Sequence, residues 1–216
     1  MLARLGRVLG LGAAGAVVAA LMSACSMMPD PSAETVALEG SLLTLDDVGE
    51  NYTEEYRGSV GVSGGKVCPE SDFEFTDAGM MRAAFVWELG DGDQVELVEM
   101  VRVGEPDELD ALFPAIRSAF EVCSGTVWTD YGDTRAVEIL PTPDIGDDRI
   151  AALVRHGDPP FEGRHDHVRT MYVRTGEIFV EISISEPLDG FDQEPSVDGQ
   201  EFTQLVTSAI ARLQSR

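Results

Sequence analysis

The stretch VRTMYVRTGEIFVEISIS, Val168 to Ser185, decides the fold of this chain. Two runs that alternate between apolar and polar residues flank Thr175 and Gly176, and a glycine between two such runs is typical of a tight turn between paired strands. Because side chains alternate across a strand, the second run places four apolar side chains on one face: Ile178, Val180, Ile182 and Ile184. The stretch therefore predicts an antiparallel hairpin, Val168–Arg174 with Ile178–Ser185, that covers a core with one face.

The rest of the chain offers further strands of the same kind. Met81–Leu89 and Val95–Val103 are joined by Gly90-Asp91-Gly92-Asp93, a turn sequence that predicts a second hairpin. Shorter runs of strand-forming residues lie at Phe73–Phe75, Ala136–Leu140 and Ile150–His156. Together these runs predict a mainly antiparallel sheet of about six or seven strands.

Three segments predict helices. Thr44 followed three residues later by Asp47 predicts a short helix near Leu42–Val48. Apolar residues recur every three or four positions from Asp107 to Cys123 and again from Phe202 to Leu213. Pro114 inside the first of these long helices is expected to kink or divide it. We therefore expect one α+β domain, residues 38–216, in which the helices cover one face of the sheet.

The first 24 residues have the parts of an export signal. Arg4 and Arg7 precede an apolar stretch, Val8–Leu21, that is too short to cross a hydrocarbon core of about 30 Å comfortably. Residues 25–37 contain Pro29 and Pro31 and lack apolar periodicity, so they are expected to form a flexible tether. The sequence predicts a cleaved signal, a short spacer and a domain outside the cytoplasm.

The strong negative charge restricts the partners. The chain has 15 Lys and Arg against 39 Asp and Glu, and loss of residues 1–24 would take the net charge from −24 to −26 by removing two arginines. Such a surface repels phosphate backbones and anionic headgroups. Nucleic acid is therefore excluded as an expected partner.

Cys68 and Cys123 are the cysteines of the expected domain, and an even pair outside the cytoplasm indicates a disulfide. A loop of this length would gain about 4 kcal/mol from closure in the chain-entropy description. Two buried free thiols are the alternative. The remaining Cys25 follows Leu21-Met22-Ser23-Ala24, which resembles the lipobox of bacterial lipoproteins. That resemblance implies lipidation of Cys25 and attachment to the cell membrane on its extracytoplasmic face.

The order of elements has a second resemblance. The segment around Leu42–Val48, the early Cys68, the central hairpin, the helix that ends in Cys123 and the final helix resemble the PknH-type extracellular sensor domain of actinobacterial lipoproteins and receptor kinases. This resemblance implies a non-catalytic sensor domain with a cleft between sheet and helices for an undefined ligand. The chain departs from that pattern by lacking a second disulfide and by having Phe120 where Trp is frequent.

Three motifs suggest chemistry that the context does not favour. Gly61-Val62-Ser63-Gly64-Gly65 matches the G-x-S-x-G of serine hydrolases, but Cys68-Pro69 follows where a helix is required. His165 and His167 would share a face of an extended segment and could hold zinc or copper with Glu162 or Asp158, although a solvated loop is the expected alternative. The Asp and Gly clusters at 91–93 and 144–148 lack calcium-loop spacing and are expected to be turns. We expect no cofactor, no enzyme activity and no resident metal.

The expected ligand site combines five side chains. We expect a cleft between the sheet and the helix Asp107–Cys123, with a rim formed by the loop Trp128–Tyr131 and the segment His156–His167; its candidate residues are Trp128, Tyr131, His156, His165 and His167. The alternative for the aromatic pair is packing against the helix end. Given the acidity of the chain, the ligand is expected to be neutral or apolar, such as a small apolar molecule or a glycan. A protein-interaction module of the cell envelope is the second functional expectation.

Overall fold

The computed structural model describes residues 37–215, except 61–63, 77–78, 91, 131–132, 158–163 and 190–194. The predicted signal, Cys25 and most of the predicted tether lie outside the described residues. Residues 37–39 are helical, and three further helices follow: α1 (Leu45–Val48), α2 (Pro106–Cys123) and α3 (Gly199–Gln214). Ten strands accompany them: β1 (Thr53–Ser59), β2 (Gly64–Lys66), β3 (Glu74–Thr76), β4 (Met81–Gly90), β5 (Asp93–Val103), β6 (Val127–Asp130), β7 (Asp133–Leu140), β8 (Asp148–Gly157), β9 (His165–Thr175) and β10 (Ile178–Leu188).

Eight strands form one antiparallel sheet in the order β1-β4-β5-β10-β9-β8-β7-β6, and β2 pairs with β3 separately. Both predicted hairpins are confirmed: β4 pairs with β5, and β9 pairs with β10 across the turn at Gly176. The expectation of six or seven strands is wrong: the strand predicted at Phe73–Phe75 corresponds to β3, which pairs outside this sheet, and two edge strands, β1 and β6, were missed. Edge strands are half solvated, and β1 (TEEYRGS) has the exposed, polar composition that gives no hydrophobic signal.

The strand alternation predicted for β10 is confirmed. Val180, Ile182 and Ile184 are 0–3% exposed on one face, where they pack in a core with Phe202 and Val206 of α3. Phe179 points to the opposite face and packs with Phe113 and Ile116 of α2. We call these two surfaces the α3 face and the α2 face of the sheet.

The helices therefore cover both faces, and the expectation that they cover one face is wrong. Helix α2 begins with Pro106 in its first turn, where the missing N–H has no cost, and continues to Cys123 without interruption. Pro114 does not divide this helix. The buried stripe of α2 and the buried stripe of α3 each need an apolar surface, and the central strands are apolar on both sides.

Two local contacts fix the ends of these elements. The Asp198 carboxylate accepts hydrogen bonds from the backbone N–H groups of Gln200 (2.7 Å) and Glu201 (2.8 Å), which caps the start of α3. At the end of α2, Cys123 is joined to Cys68 by a disulfide with the Cα atoms 5.9 Å apart. The disulfide holds the segment before β3 against the helix end.

The predicted capping pair of α1 is present. The Asp47 carboxylate accepts hydrogen bonds at 2.7 Å from both the backbone N–H and the hydroxyl of Thr44. This short helix and the preceding residues Leu38, Leu42 and Leu43 pack with α3 over the α3 face.

Candidate ligand site

The register of three strands brings basic side chains together on the α3 face. His167 of β9 lies opposite Arg155 of β8 and Glu186 of β10. Arg169, two residues further along β9, lies opposite Leu153. Because alternate residues share a face, His165, His167 and Arg169 all point to the side that carries Met171 and Val173, which belong to the α3 core.

These side chains line a depression of about 280 Å³ that we call the basic pocket. The described residues that line it include two arginines, two histidines and no carboxylate, although the carboxylates of Glu138 and Glu186 lie next to Arg155 and His167. Its lining consists of Leu153, Arg155, His165, His167, Arg169, Leu188 and Pro195. In a chain with a net charge of −24, such a concentration of positive and hydrogen-bond-donating groups is unusual.

Both arginines are held by neighbours. Arg155 forms an ion pair with Glu138 at 3.3 Å, and half of the Glu138 side chain is exposed to solvent. Arg169 donates a hydrogen bond to the carbonyl oxygen of Val197 (3.2 Å) and lies 5.8 Å above the centre of the Phe202 ring. A guanidinium has five N–H donors in a planar fork, and the bond to Val197 occupies one of those of Arg169.

Burial sets the charge state of this region. It lowers the pKa of Arg169, although the carboxylates of Glu186 and Asp198 act in the opposite direction. The pKa of His167 falls to about 4, mainly because the imidazole is buried and also because Arg169, Arg155 and His165 are close. His167 is therefore neutral at pH 7 and offers one N–H donor and one acceptor.

Glu186 connects the pocket to the segment before α3. Its side chain is 2% exposed, and its carboxylate accepts a hydrogen bond from the backbone N–H of Ser196 at 2.8 Å. Burial raises the pKa of Glu186, while the contacts with Ser196 and Val197 and the charge of Arg169 oppose that rise. The carboxylate of Glu186 thus holds residues 195–198 beside the pocket through its hydrogen bond to Ser196.

A second depression of about 240 Å³ adjoins the basic pocket and shares Arg169 with it. We call it the apolar pocket. It lies between the α3 face and the first turn of α3, and its lining consists of Leu140, Pro141, Ala151, Arg169, Met171, Gly199, Phe202 and Thr203.

The five candidate residues do not line one cleft. His165 and His167 lie on the α3 face, whereas Trp128 and His156 lie on the α2 face, where both align with Arg135 across strands β6, β7 and β8. Tyr131 lies outside the described residues. The structure brings together His165 and His167 and separates them from Trp128 and His156 by the thickness of the sheet.

The expected loops around these residues are strands. Trp128 is in β6 and is 9% exposed, packed in the core that contains Cys68, Cys123 and Phe120, which matches the packing alternative for this residue. His165 and His167 begin β9, and His156 is near the end of β8. The interface between α2 and the sheet is filled by side chains such as Leu109, Phe113 and Ile116, each at most 1% exposed.

The expectation that His165 and His167 share a face of an extended segment is confirmed. Glu162 and Asp158, the proposed additional ligands, lie outside the described residues. Within the described part of the chain no three metal-binding side chains converge. Ser63 of the G-x-S-x-G motif also lies outside it, and the last two residues of that motif begin strand β2, Gly64–Lys66.

Sequence reasoning did not include Arg155 and Arg169 among the candidate site residues. It missed Leu153, Leu188 and Pro195 altogether. The sequence does show a period of two in Leu153 and Arg155 and in His165, His167 and Arg169, which predicts that each set shares a face of its strand. The sequence does not show that β8 pairs with β9, and this pairing puts the two sets side by side.

Comparisons with known proteins add little. No protein-family model and no curated protein matches the chain. Among solved structures, the chain is similar to the human StarD13 (DLC2) lipid transfer and protein localization domain at 12% identity, over 72% of this chain and 88% of that chain, with a TM-score of 0.21. A TM-score of this size carries no argument about fold or function. None of the described helices is long and apolar enough to cross a membrane.

Proposed function

We propose that this protein is a lipid-anchored, extracytoplasmic lipoprotein whose domain binds a ligand without catalysis, and that the basic pocket is its ligand site. The observation that carries the proposal is the convergence of Arg155, His165, His167 and Arg169 around one depression of about 280 Å³. Clefts with a few convergent polar groups between apolar walls are typical of ligand sites, and Leu153, Leu188 and Pro195 supply the apolar walls here.

The ligand we propose carries an anionic group. The acidity of the whole chain favours a neutral ligand only if no basic groups converge, and two guanidinium groups and two imidazoles do converge. Guanidinium groups bind carboxylates and phosphates with charge-assisted hydrogen bonds. An anion would also offset the cost of keeping Arg169 charged while partly buried, a cost expressed in the lowered pKa of its guanidinium.

The membrane address and the sensor role rest on the sequence. The lipobox resemblance at Cys25 supports the anchor, and the resemblance to PknH-type sensor domains supports a role in ligand recognition at the cell envelope. A protein-interaction module remains the alternative. The large apolar side chains exposed among the described residues lie on seven different elements, so they do not specifically favour it: Leu45, Tyr56, Leu89, Val103, Val122, Val127 and Ile139.

Native mass spectrometry of the protein purified from its own envelope tests the proposed function. The parent protein is expected to carry a co-purifying molecule, and the double variant Arg155→Gln, Arg169→Gln is expected to lose it. The matched control is Arg117→Gln, which also removes positive charge but acts on α2, where Arg117 pairs with Asp148 at 2.9 Å.

Two results would contradict the proposal. One is a bound molecule that the double variant retains as fully as the control. The other is that no molecule co-purifies with the parent and that the same components of an envelope extract stabilise the parent and the double variant against heat. Circular dichroism of each variant establishes that folding is preserved.

A further inference from the structure

The two pockets on the α3 face lie next to each other along β9 and share Arg169 in their lining. The basic pocket is lined by His165, His167 and Arg169, and the apolar pocket by Arg169 and Met171. These residues are alternate positions of one strand, and they share a face in an unbroken register. On the neighbouring strand β8, Arg155, Leu153 and Ala151 lie beside His167, Arg169 and Met171, respectively.

The chemistry of the lining changes from the basic pocket to the apolar pocket. The first carries two imidazoles and two guanidinium groups. The second carries Leu140, Pro141, Met171 and Phe202, with Arg169 at the boundary. The Arg169 guanidinium lies above the Phe202 ring, which keeps the cation next to an apolar wall.

The volumes indicate one ligand that occupies both pockets. Depressions of about 280 and 240 Å³ are each below the range of roughly 300 to 1,000 Å³ that is usual for small-molecule sites, and the two together fall within it. A molecule that filled only the basic pocket would leave the apolar pocket exposed to solvent. A purely apolar molecule would offer no hydrogen-bonding partner to the polar groups of the basic pocket.

We infer that the ligand is an amphiphile with one anionic head group, a carboxylate or a phosphate, and an aliphatic chain. The head lies between Arg155, His165, His167 and Arg169, and the chain lies along Met171 against Phe202 and Leu140. This inference rests on the proposed ligand-binding function and adds the chemical class of the ligand. The basic pocket binds the head group, and the size of the apolar pocket limits the length of the aliphatic chain.

Isothermal titration calorimetry on the full chain in phosphatidylcholine nanodiscs, with empty nanodiscs as the blank, tests this class directly. The probes are butyrate, hexanoate and octanoate for chain length, octyl phosphate for the alternative head, and octanol and octylammonium as neutral and cationic controls. Each buried methylene, at ~0.8 kcal/mol, is expected to strengthen binding by about fourfold until the apolar pocket is filled. Octanol and octylammonium are expected to bind at least tenfold more weakly than octanoate.

Two threonines on α3 provide a matched pair of variants. Thr203 lines the apolar pocket, and Thr207 lies one turn further along; each hydroxyl donates a 2.8 Å hydrogen bond to the carbonyl four residues earlier. Thr203→Trp is expected to fill the apolar pocket and abolish the dependence on chain length while butyrate binding persists. Thr207→Trp is expected to leave the chain-length series unchanged. Arg169→Gln is expected to weaken every anionic probe at least tenfold.

The outcomes separate this inference from the proposed function. If butyrate and octanoate bind equally tightly and both depend on Arg169, the amphiphile is wrong and the anion-binding function stands. If octanol binds as tightly as octanoate, or if Thr203→Trp and Thr207→Trp behave alike, the assignment of head and chain is overturned. If no probe binds and the co-purifying molecule is also independent of Arg155 and Arg169, both proposals fail. A higher affinity of octyl phosphate than of octanoate, or the reverse, identifies the head group.

Discussion

Glu99 is a carboxyl group buried in the apolar core of the α3 face. Its side chain is 0% exposed, and one oxygen accepts a hydrogen bond from the backbone N–H of Leu43 at 2.6 Å. Burial raises its pKa to about 7; the Leu43 contact and the charges of Arg57 and Arg212 oppose the rise, and Asp47 adds slightly to it. Glu99 therefore takes up a proton in the folded protein well above the pH at which it would do so in the unfolded chain.

We predict that the parent becomes less stable as pH rises through the titration of Glu99 and that the variant Glu99→Gln does not. Because the folded pKa is about 7 and the reference value is 4.5, the carboxyl contributes most stability below pH 4.5 and loses it as pH approaches 7. The difference is about 3 kcal/mol at most, from 1.36 kcal/mol per pKa unit. Glutamine keeps an acceptor for the Leu43 N–H. Urea unfolding of both proteins at pH 4.5 and 7.5 measures the difference, and equal pH slopes would contradict the prediction.

His167 acts in the opposite direction over nearly the same pH range. Its folded pKa is about 4 against a reference of 6.5, so its neutral form stabilises the fold above pH 6.5, and that stability is lost as pH falls towards 4. His167→Gln is therefore expected to lose less stability than the parent between pH 7 and pH 4. The difference between the two proteins should be smaller than about 3 kcal/mol, the value for the full pKa shift, because the pocket is open to solvent. Thermal unfolding at pH 4 and 7 measures the effect. An unchanged difference between the two pH values would show that His167 titrates normally.

At the scale of elements, the connection between β7 and β8 depends on a close approach to the turn between β9 and β10. Gly146 has a φ of +69°, and a Cβ atom there would lie 2.4 Å from the carbonyl oxygen of Arg174. Next to it, the Asp147 N–H donates to that same oxygen at 2.7 Å. Gly176, in the β9–β10 turn, has a similar φ of +60°, but a Cβ atom there would meet no atom within 4 Å.

We predict that Gly146→Ala destabilises the protein by at least 2 kcal/mol more than Gly176→Ala. Both substitutions carry the cost of a left-handed backbone, about 1–2 kcal/mol, but only the first adds a steric clash with backbone atoms. The free energies of unfolding in urea measure the two costs. Equal losses would mean that the chain around Gly146 moves without cost.

The disulfide is the second feature at this scale. It joins the end of α2 to the segment before β3, and both cysteines are at most 2% exposed. Cys68→Ala with Cys123→Ala is expected to lower the free energy of unfolding by up to about 4 kcal/mol, from the entropy of a longer unfolded chain. Reductant should lower the stability of the parent and leave the double variant unchanged. Peptide mapping that finds both thiols free in protein from the envelope would refute the bridge.

At the scale of the whole molecule, the membrane address is a prediction carried by Cys25. Cys25→Ser is expected to shift the protein from the detergent phase to the aqueous phase, because two acyl chains hold a protein at a membrane and the domain has a strongly negative surface. Phase partition in Triton X-114 of protein from the native envelope measures the shift. A variant that enters the detergent phase as the parent does would contradict lipidation.

Local sequence patterns predicted much of this fold because they need only neighbouring residues. The turns at Gly90–Asp93 and Gly176 bring strands together that are adjacent in the chain, and the periods of two and of three to four follow from backbone geometry. The edge strand β1 was missed because its side chains are mostly polar and exposed, and β6 was missed because its four residues are too few to show an alternating pattern. The sequence by itself thus determined the α+β class, most of the sheet and the two long helices.

Only the tertiary structure decided what lies beside what over long distances. The pairing of β5 with β10 joins the two halves of the sheet although α2 and four strands separate them in the chain. The same assembly puts α2 and α3 on opposite faces, which parts Trp128 from His165 and His167. It also brings Arg155 next to His167 and Arg169 in one pocket. The physical reason is that strand register and face depend on the burial of every apolar surface at once, whereas a sequence pattern reports only the period of its own segment.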